Sequence, residues 1–203
     1  MLLLRSQNLD LYFDSVDNQI SLHLTPRYVM PAHSTSDHPS LHHFLLPNEN
    51  ATKAFSAELA KAILRRMITA ISQKHGLHIQ LCGELGSGKT TLVRALLHSL
   101  GHTQHVKSPT YTLCESYHLK TQNGPLSVCH FDFYRFMDPA EWHDTGFREH
   151  FNDHVLCLVE WPEKVGGLLG IPDLKLTLEP NDDCRHLTVH ASTRAGLACL
   201  PTC

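Results

Sequence analysis

One eight-residue stretch, GELGSGKT at residues 83–90, constrains the fold of this chain more than any other feature. It matches the pattern G-x-x-x-x-G-K-[ST] in full. An apolar segment, residues 78–82, precedes it, and a leucine-bearing amphipathic segment follows and ends at Gly101. A strand, a glycine-rich loop and a helix in this order form a P-loop, whose backbone amides and helix N-terminus surround phosphate oxygens. The sequence therefore predicts a unit that binds the phosphates of a nucleotide.

The residue types of the loop fit that chemistry. Its three glycines allow backbone angles that other residues avoid, so that amide groups can close around an anion. Lys89 offers a positive charge to the β- and γ-phosphates, and the Thr90 hydroxyl can ligate magnesium. The loop residues predicted to bind the nucleotide are Glu84, Leu85, Gly86, Ser87, Gly88, Lys89, Thr90 and Thr91.

Two acidic residues stand at the ends of apolar segments that read as strands. Asp132 closes one such segment, and Glu160 closes another at residues 155–159. A carboxylate at a strand end can hold magnesium, directly or through water, or orient the water that attacks a phosphate. The sequence does not divide these roles between the two acids. With Lys89, they are the predicted catalytic residues.

A third element, KSPTYT at residues 107–112, follows the P-loop helix, where P-loop switch proteins place a nucleotide-sensing loop. A hydroxyl of Ser108 or Thr110 would sense the γ-phosphate, and the alternative is a proline turn before a strand. The chain has no N-K-x-D or T-K-x-D stretch to read a guanine base, which favours ATP over GTP.

The pattern of residues 47–203 predicts an α/β fold, a three-layer P-loop NTPase domain with a mixed central sheet. Apolar residues four apart indicate a helix that begins at an Asn48 N-cap. The expected helices run from Asn48 to Gly76, from the P-loop to Gly101, and from Asp138 to Phe151. The expected strands lie at residues 78–82, 110–119, 126–134, 155–159, 173–179 and 185–191.

Residues 1–46 have a different texture. Apolar and polar residues alternate over residues 9–13 and 20–24, which favours a short hairpin. Residues 31–43 are rich in Pro, Ser and His, a composition typical of a linker or a disordered segment. We therefore predict a flexible N-terminal extension, with Met30 as an alternative start of the protein.

Composition excludes several classes of protein. A formal net charge of -3 argues against a broad basic face for nucleic acid. The seven cysteines include no C-x-x-C pair and read as reduced thiols of a cytoplasmic protein. The seventeen histidines show no zinc-site spacing. No apolar run approaches the roughly 20 residues that span a bilayer, so the sequence predicts no membrane contact.

Five segments together resemble the TsaE family, the ATPase component of bacterial threonylcarbamoyladenosine tRNA modification. In chain order they are GELGSGKTTL, VKSPTYTLCESY, HFDFYR, DPAEWHDTGFREHF and VLCLVEWPEKVGGLLG. The resemblance covers about residues 45–193, and its SPTYTL, HFDxYR and EWP elements are more specific than the P-loop alone. The chain has Glu84, Ser87 and Phe133 where the family often has Asp, Ala and Leu, and residues 1–46 have no counterpart in it.

The resemblance implies a protein that binds ATP and magnesium and hydrolyses ATP weakly alone. It implies a supporting role for the TsaB–TsaD heterodimer, whose TsaD transfers a threonylcarbamoyl group to the adenosine beside the anticodon, so that tRNA is an indirect partner. It implies Thr90 and Glu160 as magnesium ligands, Lys89 as the phosphate clamp and Asp132 as the second essential acid.

The resemblance also assigns a switch segment and the surroundings of the nucleotide. The switch residues would be Ser108, Thr110, Tyr111 and Thr112. Trp161 would lie beside the nucleotide site, and Glu49 and Arg185 would approach its adenine end.

Two other functions remain open at this point. A small-molecule kinase of the P-loop class would need an arginine-rich acceptor site and a lid, for which Arg135 and Arg148 are the nearby candidates. A nucleotide-gated binding module would use slow hydrolysis only to time the release of a partner. The fate of labelled ATP separates these functions from an ATP hydrolase.

Overall fold

The fold is described from a computed structural model of the chain. It describes residues 2–6, 9–16, 19–26, 40–69, 76–151, 155–181 and 184–201, and only the backbone before residue 40. The strands are β1 (Leu2–Ser6), β2 (Leu9–Val16), β3 (Gln19–Pro26), β4 (Ser40–Leu46), β5 (Leu77–Cys82), β6 (Cys114–Thr121), β7 (Gly124–Asp132), β8 (Val155–Glu160), β9 (Leu174–Asn181) and β10 (Cys184–Ala191). The helices are α1 (Glu49–Thr69), α2 (Lys89–Ser99), α3 (Glu141–Asp144) and α4 (Arg194–Ala198).

The strands form one sheet in the order β3-β2-β1-β4-β10-β9-β5-β8-β7-β6. Strand β5 pairs in parallel with β8 and β9, and β7 pairs in parallel with β8. The other pairings are antiparallel. The sheet is therefore mixed, as the sequence predicts.

Side chains of β8 show that both faces of the sheet are covered. Leu156 and Leu158 pack into a buried cluster with residues of α1 and α2. Cys157 and Val159, which point the other way, pack into a second cluster with Trp142 of α3. A strand buried on both faces reads as a continuous apolar run, which is the pattern of β8. These two clusters confirm the three-layer α/β architecture.

Helix α1 begins as predicted. The backbone N–H of Ala51 donates to Asn48 Oδ1 at 3.0 Å, so Asn48 is the N-cap. Phe55, Leu59 and Ile63 lie one turn apart and are 1–4% exposed. Full burial of each such side chain stabilises the fold by roughly 1.5–3 kcal/mol. Helix α1 ends at Thr69. Residues 70–75, which precede the predicted end at Gly76, lie outside the described residues.

Strand β4 corrects the predicted linker and domain boundary. It pairs antiparallel with β10 along its whole length. Phe44 and Leu46 are buried to 2% and 0% exposure, and the Phe44 ring contacts Phe55 of α1 with centroids 4.9 Å apart. Residues 40–46 therefore belong to the core, and a boundary at residue 46 is wrong. The Ser and His residues of β4 occupy positions that are not buried, and for this reason the sequence pattern did not indicate a core strand.

The backbone before residue 40 adds to the same sheet. Strand β1 pairs antiparallel with β4. Strands β2 and β3 form an antiparallel hairpin, as the alternation of apolar and polar residues predicts. These three strands differ from the flexible extension expected for this part of the chain. Most of the proline-rich stretch, residues 31–39, lies outside the described residues, as does Met30.

Most predicted strands are shifted by one or two residues at their ends, and two predicted elements differ more. Strand β6 begins at Cys114 rather than residue 110, because residues 110–113 form a turn in which Leu113 donates its N–H to the Pro109 carbonyl at 2.7 Å. The helix expected from residue 138 to 151 is broken into α3 and a 3₁₀ turn, Phe147–Phe151. Gly146, with φ 69°, separates the two pieces. No helix among the described residues is long and apolar enough to cross a membrane.

Candidate nucleotide site

The P-loop connects the end of β5 to the first residue of α2. Gly83 has φ 138°, and a Cβ there would lie 2.3 Å from the carbonyl oxygen of Leu178 on β9. Gly88, with φ 102°, is the N-cap of α2. The loop therefore needs glycine at Gly83 for close approach to β9 and at Gly88 for its left-handed conformation. The N-terminus of α2 opens onto this loop, as an anion site requires.

Lys89 is folded back over the P-loop. Its Nζ donates to the carbonyl oxygens of Gly83 at 2.6 Å and Glu84 at 2.9 Å, and lies 3.8 Å from the ring centroid of Trp161. Burial lowers the pKa of Lys89 below its usual range, and the charges of nearby carboxylates, led by Glu160, oppose that shift. The ammonium group is thus held at the loop by backbone oxygens and an aromatic face.

The two predicted acids lie side by side. The parallel register of β7 and β8 pairs Asp132 with Glu160, and both side chains are buried. Glu160 Oε2 accepts a hydrogen bond from Thr90 Oγ1 at 2.9 Å. Asp132 Oδ2 accepts one from Thr110 Oγ1 at 2.6 Å. The carboxyl ends of parallel strands meet at one edge of a sheet, so both acids come to the edge that carries the P-loop.

The side chains of the predicted switch segment lie in two different surroundings, beside Asp132 and at the protein surface. Ser108 Oγ lies 2.9 Å from Thr110 Oγ1, so both hydroxyls belong to the group around Asp132. The Tyr111 side chain is 82% exposed, with the Arg135 guanidinium 4.1 Å from its ring centroid. The exposed Thr112 donates to the half-buried Glu115 at 3.1 Å.

A cleft of about 330 Å³ lies between these elements. Its lining residues come from the P-loop, the switch segment and the ends of β7 and β8. They are Leu85, Gly86, Gly88, Lys89, Thr90, Thr91, Ser108, Thr110, Asp132, Tyr134, Glu160 and Trp161. Trp161 follows β8 directly with φ 58°, and its ring lies 5.0 Å from that of Tyr134.

Some predicted residues do not line the cleft. Among them are Glu84, Ser87, Tyr111, Thr112, Glu49 and Arg185.

Glu49 is exposed and pairs with Lys53 at 2.8 Å. Arg185, on β10, packs against the P-loop, since a Cβ on Gly88 would lie 3.0 Å from its Nε. The Lys53 hydrogen bond lowers the pKa of Glu49 most, and the charges of Arg94 and Arg185 add to it. Glu49 and Arg185 thus share one neighbourhood outside the cleft.

Sequence reasoning missed two residues of the site. Tyr134 lines the cleft beside Trp161. His130 is fully buried, with its Nε2 2.8 Å from Glu160 Oε1. The period of two in a strand places His130 and Asp132 on one face of β7, and this spacing was the available signal.

The donor set fits magnesium. Hydroxyl and carboxylate oxygens, here from Thr90, Asp132 and Glu160, are the ligands that this hard cation prefers. Within the described residues, no group of three or more His, Cys, Asp or Glu side chains could hold a metal. Magnesium usually takes one or two carboxylates and completes its shell with water and substrate phosphates, so a sparse protein donor set suits it.

The sequence of the chain is similar to known proteins of one family. Residues 46–187 match the family model described as threonylcarbamoyl adenosine biosynthesis protein TsaE. The chain is 37% identical over 151 residues to a Haemophilus influenzae tRNA threonylcarbamoyladenosine biosynthesis protein TsaE, covering 74% of this chain and 90% of that protein. The Bacillus subtilis protein of the same name is 35% identical over 140 residues, covering 68% and 84%.

A solved structure shows the same fold. The crystal structure of Bacillus subtilis YdiB superposes with a TM-score of 0.57 at 28% sequence identity, covering 81% of this chain and 95% of that one. The family match over residues 46–187 includes the P-loop and the two acid-bearing strands, β7 and β8. The chain therefore belongs to the TsaE family of tRNA threonylcarbamoyladenosine biosynthesis proteins.

Proposed function

We propose that this protein binds and hydrolyses magnesium–ATP, and that hydrolysis supports a TsaB–TsaD complex that forms threonylcarbamoyladenosine next to the anticodon of tRNAs. The convergence of Lys89, Thr90, Asp132 and Glu160 on one cleft carries the hydrolytic part of the proposal. Membership of the TsaE family supports the pathway. A protein that serves tRNA modification in a bacterium would act in the cytoplasm.

Each group has a role in this chemistry. The Lys89 ammonium, held near the loop, would contact the phosphates and stabilise their charge. Thr90 and Glu160 would hold magnesium, which neutralises charge on the phosphate oxygens when bound. Asp132 would orient the attacking water or hold the metal through water. Its hydrogen bond with Thr110 would make the conformation of the switch segment depend on what the site binds.

The site supports slow hydrolysis by the protein alone. None of the described residues that line the cleft is an arginine, and Arg135 packs on the exposed ring of Tyr111. P-loop enzymes without an arginine at the γ-phosphate turn over slowly until a partner supplies the charge or orders the switch, an effect of about 10³–10⁵-fold. Leu85 at the P-loop tip and Tyr111 are 73% and 82% exposed, within reach of such a partner.

Incubation with ATP labelled at the γ-phosphate tests this proposal. We expect release of free phosphate that depends on magnesium and increases when purified TsaB–TsaD is added. Transfer of label to a small metabolite would indicate a kinase. ATP that stays bound and intact, with or without the partners, would indicate a binding module.

A further inference from the structure

His130 lies directly behind Glu160. The histidine is 0% exposed and the glutamate 2% exposed. His130 Nε2 is 2.8 Å from Glu160 Oε1, while Glu160 Oε2 accepts the Thr90 hydroxyl at 2.9 Å. An ionised carboxylate only accepts hydrogen bonds, so Nε2 carries the hydrogen and donates. Each oxygen of Glu160 therefore has one protein partner, and the two partners come from different elements, β7 and α2.

A histidine is costly at this position. Two of its neighbours on the same face of the sheet are apolar and fully buried: Val128 two residues before it on β7, and Leu158, its register partner on β8. Asp132, two residues after it, and Glu115, its register partner on β6, are acidic. Among the described residues, His130 Nδ1 has no hydrogen-bond partner. A buried polar atom left unpaired destabilises the folded state, because it has lost its hydrogen bonds to water. The hydrogen bond to Glu160 offsets this cost. Because its partner is a carboxylate of the site, this bond fixes the carboxylate and does not serve the packing of the core.

We propose that His130 is a positioning residue that fixes the Glu160 carboxylate through Nε2–H, so that Oε2 stays directed at Thr90 and at the magnesium these two residues would hold. The proposal rests on the proposed function of the same site. A glutamate side chain has three rotatable bonds, and holding one oxygen removes conformations that turn the other away from the metal. Partners that orient a metal ligand in this way contribute about 10–100-fold to metal affinity.

Two substitutions of His130 test the proposal. His130→Leu fills the same space without a donor, and His130→Gln places an amide N–H near the position of Nε2. Magnesium is titrated in the presence of ATP, with the thermal shift as readout, and ATP binding in EDTA is measured by calorimetry. We expect His130→Leu to need 10-fold or more magnesium for its half-maximal shift, with ATP binding in EDTA within about twofold of wild type. His130→Gln should recover most of the loss.

The matched control is His78→Leu. His78 is another histidine with an unpartnered ring nitrogen, at the opposite end of the parallel strands and away from both acids. Its substitution should leave the magnesium midpoint unchanged. A wild-type midpoint in His130→Leu would overturn the proposal, as would an equal loss of ATP binding in EDTA, which would indicate a packing role.

Two further outcomes separate this proposal from the proposed function. If wild type shows no magnesium-dependent binding or hydrolysis of ATP, the proposed function fails. If His130→Leu does not fold, His130→Gln is compared with His130→Asn, whose shorter amide cannot reach Glu160. A magnesium midpoint at least several-fold higher for His130→Asn supports the positioning role, and equal midpoints refute it.

Discussion

Asp132 and Glu160 occupy paired positions at the ends of adjacent parallel strands, and each carboxylate accepts a hydrogen bond from a threonine hydroxyl of a different element. Glu160 accepts from Thr90 at the start of the P-loop helix, and Asp132 accepts from Thr110 in the switch segment. The two acids therefore connect the P-loop helix and the predicted switch segment through one edge of the sheet. A change at either hydroxyl acts on a buried charge, so the site is sensitive to small substitutions.

Lys89→Ala should abolish ATP hydrolysis and leave the fold intact. The substitution removes the charge at the phosphates, and loss of a preorganised stabilising group costs about 10²–10³-fold or more in rate. Phosphate release and melting temperature are measured on the variant and on Lys53→Ala, an exposed lysine that pairs with Glu49. Wild-type phosphate release by folded Lys89→Ala protein would refute the P-loop assignment.

The two acids should differ in what they affect. If Glu160 holds magnesium, Glu160→Ala weakens magnesium-dependent ATP binding as well as hydrolysis. Asp132→Asn should reduce hydrolysis more than binding, because an amide keeps the size of the side chain but lacks the charge that would orient the attacking water or hold the metal through water. Calorimetric titration with magnesium–ATP, beside a phosphate-release assay, compares the variants. The reverse pattern would exchange the two roles.

A chain that begins at residue 47 should lose stability, and one that begins at Ser40 should keep it. The shorter chain lacks β4, which buries Phe44 and Leu46 and pairs with β10. In the full chain, Phe44→Ala should cost about 3–5 kcal/mol of unfolding free energy. Leu41→Ala in the same strand is the control, since Leu41 is 44% exposed. Equal melting temperatures for the two truncated chains would contradict the role of β4.

Acid should destabilise the protein through His78. Burial lowers the pKa of His78 from 6.5 to about 4, against the opposing charge of Asp173. Between these values the unfolded chain takes up a proton that the folded chain does not, so stability falls as the pH drops from 6.5 towards 4. Urea unfolding at pH 7 and pH 5 should show His78→Leu losing about 1 kcal/mol less than wild type over this interval. An identical loss in both proteins would show that His78 does not titrate this way.

Hydrolysis should be slow in isolation and stimulated by TsaB–TsaD, by about 10³-fold if the partner completes or orders the site. Thr110→Val removes the hydroxyl that binds Asp132 and should abolish much of the stimulation. Thr112→Val is the control, because Thr112 binds Glu115 outside the cleft. Fast turnover by the protein alone, unchanged by the partners, would contradict the coupled ATPase.

Several features of the site follow from sequence alone because neighbouring residues determine them. The glycines and Lys89 of the P-loop, the strand before it and the helix after it all lie within one short segment. Asp132 and Glu160 end apolar strands, and parallel strands bring such ends together. The Asn48 N-cap and the hairpin of β2 and β3 likewise depend on a few adjacent residues.

Other features depend on residues distant in the chain, and only the tertiary structure decides them. Strand β4 pairs with β10 more than 130 residues later, so its Ser and His residues concealed a core strand. The bond between His130 and Glu160 arises from the pairing of β7 with β8. Local sequence patterns indicate the conformation that a segment prefers, whereas the burial of its side chains and the pairing of its strands depend on which segments come into contact. For that reason the sequence determined the P-loop and the acids at the strand ends, and the packing of the sheet decided where the domain begins and what supports those acids.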